Sequence, residues 1–324
     1  MIRRLLLASA ILLGTGSLVP TRAAEPSTKV ISIGVFPALR PLELVRQERW
    51  LEKEGYEVSW HDFLAGIPPE AAAMAAGSID FGEADTSGIE QVAARSPGVM
   101  WYIASGAVNY VGLVARTGSG IKSVADLRGR NVGGVTPNTA PTAVLQMALA
   151  KSDMKLSDIQ GYNMVGPTHP AALERGAIDA AISYVPHSAE AIVNGSATLI
   201  TTADDVYGGQ WLGGGVIVRP AFAKEHQDVV VAVLKQVKRA QDLIREHPQE
   251  AYEALAKVSH VSVATVTYAY EHGMVAPIAI LPDKAAMVKQ TEVLAQFGVV
   301  KVPDAKAFID ELVHPEFATE ALKQ

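Results

Sequence analysis

Two segments of this 324-residue sequence repeat one plan: an Ala-rich helical stretch, a glycine, an Ile-Asp pair and a short strand. The segments are "AAMAAGSIDFGEAD" at 72–85 and "AALERGAIDAAISY" at 171–184. Gly77 and Gly176 stand where a helix commonly ends in a residue that tolerates positive φ. The repeat predicts two similar α/β lobes, a number that a chain of this length also favours.

Strands and helices alternate through the first two thirds of the chain. A β-branched strand at 29–36 precedes a helix at 42–55, and an alternating strand at 56–63 precedes the helix that ends at Gly77. This order predicts parallel βαβ units. After residue 219 helical patterns follow one another, so we expect packing helices there. The predicted helices are 220–247, 249–257, 262–272, 283–297 and 304–312.

The predicted fold is α/β: two lobes, each a mostly parallel sheet flanked by helices, joined by two hinge crossings. The first lobe takes residues 29–114 and the second takes 115–215. Residues 216–324 return to the first lobe and supply its packing helices. The crossings are expected near 114–117 and 214–218, and two extended crossings would make a hinge.

The N-terminus has the pattern of a secretory signal peptide at residues 1–23. Arg3 and Arg4 precede an apolar run from Leu5 to Leu13, and small residues lie near Ala23. A run of this length is too short to span a bilayer as a helix, although an N-terminal membrane anchor is the alternative. The pattern predicts an exported protein, most simply one located in the periplasm, with cleavage near Ala23.

Charge and cysteine content exclude several classes of protein. The formal net charge is −6, and removal of residues 1–23 would make it −9. Nucleic acids and anionic membranes are recognised through excess positive charge, so neither is an expected partner. The chain has no cysteine. It must therefore be stabilised by its core rather than by disulfides. We also expect the protein to be a monomer.

Small polar residues stand at two strand-to-helix junctions, one in each predicted lobe. Asp85, Thr86 and Ser87 lie in "EADTSGIEQVAAR" at 83–95, and "GGVTPNTAPTAVL" at 133–145 carries further candidates. The candidates in this second junction are Thr136, Asn138, Thr139 and Thr142. Ligands of open α/β sheets bind beyond the carboxyl ends of strands, where helix N-termini present N–H groups. The alternative is ordinary N-capping.

Known catalytic patterns are missing from the sequence. The eight histidines are scattered, and no H-E-x-x-H, G-x-S-x-G or phosphate-loop motif is present. We therefore expect no enzyme, no cofactor and no metal site. His169, in "GPTHPAA", is interpreted as a solvated loop residue, and the alternative is that it faces the cleft from a helix start.

Four longer segments resemble the periplasmic substrate-binding proteins of ABC importers, in the group that includes taurine-, aliphatic-sulfonate- and nitrate-binding proteins. They are "GSIDFGEADTSG" (77–88), "VADLRGRNVGGVTPNTAP" (124–141), "ALERGAIDAAISYVPHS" (172–188) and "GGQWLGGGVIVRPAFAKEHQDVV" (208–230). The resemblance implies a two-lobed clamp that captures a small solute between its lobes and delivers it to a permease in the inner membrane. Two alternatives stay open: a ligand sensor for a membrane receptor, and a pyrimidine-precursor enzyme of the same fold, which export and the missing cysteines disfavour.

The resemblance also implies ligand-binding positions. Tyr184 matches a position where relatives often carry an aromatic residue, and Gln210 and Trp211 match the loop before the return crossing; core packing is the alternative for both aromatic residues. Thr86, Ser87, Asn138, Thr139 and Thr142 match polar residues at the two helix starts.

The sequence departs from the taurine-type pattern in two places. The first strand is followed by apolar residues that include Phe36, with Arg40 shortly after and Gly66 in a later loop, all taken as candidate ligand contacts. Three glycines, 213–215, stand where an acid would meet a ligand amine, and they would leave room in the cleft. The expected ligand is therefore a small organic anion, an alkyl or aryl sulfonate or a related carboxylate, with an apolar or bulky end.

Overall fold

The computed structural model describes residues 27–36, 38–64 and 66–323, so the predicted signal peptide lies outside the described residues. Eleven strands form two sheets in this part of the chain. The strands are β1 (Val30–Val35), β2 (Glu57–Asp62), β3 (Phe81–Ala84), β4 (Trp101–Asn109), β5 (Val111–Arg116), β6 (Asn131–Gly133), β7 (Gln160–Tyr162), β8 (Ala180–Tyr184), β9 (Ala197–Thr202), β10 (Leu212–Val218) and β11 (Val275–Pro277).

The two sheets share one design. The first has the order β11-β4-β10-β3-β1-β2, and the second has the order β7-β6-β8-β5-β9. In the first sheet β1 pairs in parallel with β2 and β3, and in the second β6 pairs in parallel with β7 and β8. In each sheet the strand that arrives from the other lobe, β10 or β5, joins this set antiparallel. The α/β fold with two lobes is therefore confirmed. The sheets are mixed rather than mostly parallel, because β4, β10 and β11 pair antiparallel in the first sheet and β5 pairs antiparallel with β8 and β9 in the second.

Helices cover both sheets. Those of the first two thirds of the chain are α1 (Pro41–Glu48), α2 (Trp50–Lys53), α3 (Ile67–Ala75), α4 (Thr86–Arg95), α5 (Ala140–Ala150), α6 (His169–Glu174), α7 (His187–Val193) and α8 (Ala203–Tyr207). The remainder are α9 (Pro220–Glu225), α10 (Gln227–Glu246), α11 (Pro248–Ser259), α12 (Val263–Glu271), α13 (Lys284–Gln296), α14 (Ala305–Leu312) and α15 (Glu316–Ala321). No helix of the described residues is long and apolar enough to cross a membrane.

The aspartates of the two repeated Ile-Asp pairs make equivalent contacts, each with a backbone N–H and with an arginine. Asp80 accepts a hydrogen bond from a backbone N–H of β1 at 3.0 Å and forms an ion pair with Arg219 at 2.7 Å. Asp179 accepts from a backbone N–H of β6 at 3.1 Å and pairs with Arg116 at 3.5 Å. Arg219 directly follows β10 in the first sheet, and Arg116 is the last residue of β5 in the second. The repeated motif thus ties together corresponding strands in both lobes.

The last third of the chain packs on the first sheet through amphipathic helices. In α10 the predicted apolar face is buried, including Val233, Leu234 and Val237. Burial of each such side chain stabilises the fold by about 1.5–3 kcal/mol. These helices make the first lobe the larger one.

The chain passes between the two sheets at two places. It leaves the first sheet through Tyr110, between β4 and β5, and it returns between α8 and β10. Both passages lie several residues before the expected crossings at 114–117 and 214–218. Those expected ranges fall largely inside β5 and β10, because each crossing strand continues directly into the sheet that it enters.

Candidate functional site

A cavity of about 270 Å³ lies between the lobes, beyond the carboxyl ends of their parallel strands. We call it the interlobe cavity. The first lobe contributes Phe36, Leu64 and Gly66. The second lobe contributes Gly134, Thr136, Thr139, Pro141, Asn163, Met164, Val165, Gly166, His169, Ile182, Ser183 and Tyr184.

The N-terminus of α5 forms one end of the interlobe cavity. Thr139 precedes the helix, but its side chain makes no capping hydrogen bond to the backbone. The first-turn N–H groups of a helix have no partner within the helix and carry partial positive charge. Gly134 permits this geometry, since a Cβ there would lie 2.0 Å from the Ile182 carbonyl oxygen and its φ is +83°. Thr139 and Pro141 of this helix start line the cavity, and because Pro141 has no N–H, the first-turn donors of α5 are those of Ala140 and Thr142.

The threonine hydroxyls of this junction were expected to donate to a ligand, but they donate to groups of the protein. Thr139 Oγ1 donates to the Thr136 carbonyl oxygen at 2.8 Å, and Thr142 Oγ1 donates to the same oxygen at 2.6 Å. Thr136 Oγ1 donates to Asn163 Oδ1 at 2.7 Å. Thr142 and Asn138 do not line the cavity, and Asn138 adopts a left-handed conformation with φ +63°. These hydroxyls therefore donate within the loop and to Asn163 rather than into the cavity.

Asn163 is a cavity residue that the sequence analysis missed. Its side-chain oxygen, Oδ1, accepts a hydrogen bond from the Thr136 hydroxyl, so the amide nitrogen remains its side-chain donor. Asn163 is exposed and lines the cavity. It lies in the loop after β7, where polar residues are common. That context offers no local pattern that separates Asn163 from an ordinary loop residue.

His169 is buried, contrary to its interpretation as a solvated loop residue. It is 2% exposed, and its ring contacts Ser183 Oγ through Nδ1 at 2.9 Å and the Met164 carbonyl oxygen through Nε2 at 3.2 Å. Burial lowers the pKa of His169 to about 4, and the charge of nearby His187 adds to that shift while the Met164 hydrogen bond opposes it. The ring is therefore neutral at pH 7.

The corresponding helix start in the first lobe is capped from within the chain. Asp85 Oδ1 accepts hydrogen bonds from the Gly88 backbone N–H at 2.6 Å and from Ser87 Oγ at 3.1 Å. Thr86 and Ser87 are fully buried and do not line the interlobe cavity. At this junction ordinary N-capping, the alternative interpretation, describes the geometry.

Tyr184 joins the two lobes. Its hydroxyl donates to Asp85 Oδ2 at 2.8 Å, and its ring lies 5.2 Å from that of Phe36 and 5.7 Å from that of Tyr110. Burial, together with the Asp85 carboxylate, raises the pKa of Tyr184 well above its usual value, so the phenol keeps its proton. Phe36 and Tyr184 form an aromatic wall of the cavity.

Behind this wall lies an inner recess of about 10 Å³, lined by Phe36, Arg40, Gly66, Ile67, Glu70, Ala84, Asp85 and Tyr184. Arg40 is 2% exposed; its Nη1 donates to the Glu83 carbonyl oxygen at 2.9 Å, and its guanidinium lies 4.6 Å from the Tyr110 ring centre. Arg40, a candidate ligand contact in the sequence analysis, is thus a buried cation that lines this recess and not the interlobe cavity.

Two ionisable groups of the recess have shifted pKa values. Burial alone would lower the pKa of Arg40, but Tyr110, Glu83 and Asp85 outweigh it, so the net pKa is raised. Burial raises the pKa of Glu70 to about 8, which keeps this carboxyl mostly protonated at pH 7. Arg40 and Asp85 then leave the recess with little net charge.

The loop before the return strand does not reach the interlobe cavity. Gln210 is exposed, and Trp211 is fully buried, with its ring 5.6 Å from that of Tyr207. The expectation that the following glycines leave room for a solute is wrong. A Cβ at Gly215 would lie 2.1 Å from the Tyr102 ring and one at Gly213 would lie 2.9 Å from Tyr110 Cβ, so tyrosines fill that space.

Within residues 27–36, 38–64 and 66–323, no group of three or more His, Asp or Glu side chains is placed to hold a metal ion. The site consists of the start of α5, the Asn163 side chain, a Ser–His pair and an aromatic wall, all between two lobes. A two-lobed α/β clamp with its cavity at the strand ends is the architecture of the periplasmic binding proteins.

The chain belongs to the NMT1/THI5-like family, whose pattern matches residues 50–251. A putative aliphatic sulfonates-binding protein of Bacillus subtilis (strain 168) is 26% identical over 312 residues, which cover 91% of this chain and 89% of that protein. The resemblance to the ABC substrate-binding group is therefore confirmed.

Solved structures show the same fold. The alkanesulfonate-binding protein SsuA from Xanthomonas axonopodis pv. citri, bound to MOPS, superimposes with a TM-score of 0.75 at 22% identity, over 90% of this chain and 99% of SsuA. The periplasmic nitrate-binding protein NrtA from Synechocystis PCC 6803 gives a TM-score of 0.76 at 16% identity, over 93% and 90% of the two chains.

Proposed function

We propose that this chain is the periplasmic solute-binding component of an ABC importer, and that it closes its lobes on a small organic anion, an alkyl or aryl sulfonate or a related carboxylate. The observation that carries the proposal is the contrast between the two equivalent helix starts. Asp85 caps α4 with its own carboxylate, whereas α5 has no side-chain cap and its N-terminus faces the interlobe cavity.

An anionic head group would take at α5 the place that Asp85 takes at α4. Hydrogen bonds between backbone N–H groups and an ionised oxygen contribute about 1.5–3 kcal/mol each, and the helix dipole adds up to about 2 kcal/mol in a buried geometry. The Asn163 amide supplies a further donor. The nearly neutral recess neither attracts nor repels the anion strongly, so backbone dipoles provide most of its stabilisation.

The aromatic wall would contact the rest of the solute. Phe36 is half-buried, and its ring and that of Tyr184 present an apolar surface to the cavity that α5 also lines. We therefore expect aryl and longer alkyl sulfonates to bind more tightly than small zwitterions such as taurine. The named sulfonate-binding relative and the SsuA structure support this class of solute.

A thermal-shift screen tests the solute class. The protein is heated with benzenesulfonate, hexanesulfonate, taurine, nitrate and benzoate, and hits are measured by isothermal titration calorimetry. A solute that binds only the folded state must raise Tm. Tighter binding of taurine than of hexanesulfonate would contradict the proposed apolar contact, and silence across sulfonates and carboxylates would contradict the anion.

Matched variants test the site. Phe36→Ala should weaken binding of the aryl sulfonate, whereas Phe308→Ala removes another half-buried phenylalanine far from the interlobe cavity and should leave affinity unchanged. Transport is tested separately, because uptake of the hit compound should be lost when the gene for this chain is deleted. Unchanged uptake would favour the ligand sensor.

A further inference from the structure

His169 and Ser183 form a buried pair on the second-lobe wall of the interlobe cavity. His169 is the first residue of α6, and Ser183 lies in β8 beside the strand end that carries Tyr184. The two side chains are 2% and 1% exposed, and both line the cavity. The proposed anion site at α5 does not use them.

The hydrogen bonds of His169 determine which ring nitrogen holds the proton. Nε2 faces the Met164 carbonyl oxygen at 3.2 Å, and a carbonyl oxygen can only accept, so Nε2 carries the hydrogen. A neutral imidazole has one N–H, and burial keeps this ring neutral at pH 7. Nδ1 is therefore an acceptor, and the Ser183 hydroxyl 2.9 Å away must donate to it.

The orientation of the Ser183 proton fixes what the hydroxyl can offer a solute. With its hydrogen directed at His169, Ser183 Oγ presents only lone pairs to the cavity. If the hydroxyl turned to donate to a solute, buried Nδ1 would be left without a hydrogen-bond partner, which is unfavourable. A sulfonate or carboxylate oxygen placed here would meet a lone pair.

We propose that Ser183, held by His169, is a fixed hydrogen-bond acceptor that selects solutes carrying an N–H or O–H donor in addition to the anionic group. The inference rests on the proposed function for the anionic end, which would lie at α5. The preferred solute is thus bifunctional: an anion at one end and a neutral donor at the other.

Two aryl sulfonates that differ in one hydrogen-bond donor provide the test. 4-Hydroxybenzenesulfonate carries an O–H donor, and 4-methoxybenzenesulfonate keeps the oxygen but not the donor. A net hydrogen bond is worth about 0.5–1.5 kcal/mol, so the hydroxy compound should bind about three- to tenfold more tightly by calorimetry at pH 7. Equal affinities, or tighter binding of the methoxy compound, would overturn the inference while leaving the anion site intact.

Variants assign the preference to the serine. Ser183→Ala should reduce the hydroxy/methoxy ratio to within about twofold, which corresponds to loss of that single hydrogen bond. Ser188→Ala is the matched control, because Ser188 is a fully buried serine of the same lobe that does not line the interlobe cavity. The control should keep the wild-type ratio. If Ser183→Ala keeps the wild-type hydroxy/methoxy affinity ratio, another group accepts the hydrogen bond from the solute.

The proton position can also be measured without any solute. Nitrogen-15 NMR of the histidines, with His169→Gln used for assignment, should show His169 neutral and protonated on Nε2 at pH 7. Protonation on Nδ1 would overturn the inference. If no sulfonate or carboxylate binds, the proposed function fails, and this spectrum still decides whether Ser183 is an acceptor.

Discussion

The hydrogen bond between Tyr184 and Asp85 holds the two lobes together, so Tyr184→Phe should loosen the closed clamp. The bond is 2.8 Å long, and both residues are buried. The substitution keeps the aromatic ring, and with it the contacts to Phe36 and Tyr110. Only the hydroxyl that crosses between the lobes is removed.

The magnitude follows from the charge of the acceptor. A hydrogen bond to a charged group contributes about 1.5–3 kcal/mol. Asp85 keeps its bonds to the Gly88 N–H and to Ser87, so its carboxylate is not left without partners. We therefore expect a value near the lower end, about 1.5 kcal/mol, which would reduce the ratio of closed to open molecules about tenfold.

Small-angle X-ray scattering of the solute-free protein measures this opening. The radius of gyration of Tyr184→Phe should exceed that of the wild type, and thermal unfolding should show a modest loss of stability. Tyr102→Phe is the matched control, because the Tyr102 hydroxyl donates to the Gly214 carbonyl oxygen at 3.2 Å inside the first lobe. It should lose stability without a change in the radius of gyration.

A double-mutant cycle with Asp85→Ala isolates the bond itself from the lost helix cap. The coupling energy of the pair should be at least about 1 kcal/mol, as for residues in direct contact. An unchanged radius of gyration in Tyr184→Phe, with a coupling below about 0.5 kcal/mol, would refute the argument that this bond closes the clamp.

Three further predictions concern buried charge and the cavity. Burial raises the pKa of Glu90 from 4.5 to about 8 in the folded protein. Between these two pH values the unfolded chain has released the Glu90 proton and the folded chain has not. The free energy of unfolding therefore falls as pH rises from about 4.5 to about 8, by at most about 1.4 kcal/mol per pH unit. Glu90→Gln should therefore raise Tm at pH 8.5 but not at pH 4, and an equal shift at both would contradict the burial argument. Arg40→Met removes the buried hydrogen-bond donor to the Glu83 carbonyl oxygen and should lower the free energy of unfolding in urea by about 1–3 kcal/mol; an unchanged free energy of unfolding would show that Arg40 is dispensable. In calorimetry, Thr86→Ala should leave solute affinity within about twofold, whereas Asn163→Ala should weaken it about three- to tenfold through one lost donor. A larger loss of affinity in Thr86→Ala than in Asn163→Ala would instead place the solute at the first-lobe helix start.

Much of the fold could be predicted because its determinants are local. The β-branched run of β1, the amphipathic face of α10 and the glycine ends of α3 and α6 each act within a few residues. The repeat added the one long-range fact, that two such units exist. The crossing positions were harder to place, since β4 and β5 form one almost continuous extended segment whose division depends on which sheet each half joins.

The site was less predictable, because side-chain partners depend on tertiary structure. The threonines of "GGVTPNTAP" are next to the cavity, but their hydroxyl protons go to the Thr136 carbonyl oxygen and to Asn163, which no sequence spacing reveals. For Ser183 a signal existed: a single hydroxyl inside the apolar strand Ala180–Tyr184 needs a buried partner. Pairing it with His169 requires the fold.

The repeat has become asymmetric at its two helix starts, and this asymmetry suggests an order of binding. In the first lobe the Asp85 carboxylate occupies the α4 N-terminus permanently, so that lobe has no free donor set for an anion. In the second lobe the α5 N-terminus faces the cavity without a side-chain cap. We therefore expect an anion to bind the second lobe of the open clamp first, and the first lobe to close over it with Phe36. Tyr184 connects the two helix starts, since it lies in the second lobe and its hydroxyl donates to the Asp85 carboxylate, which caps α4 in the first lobe.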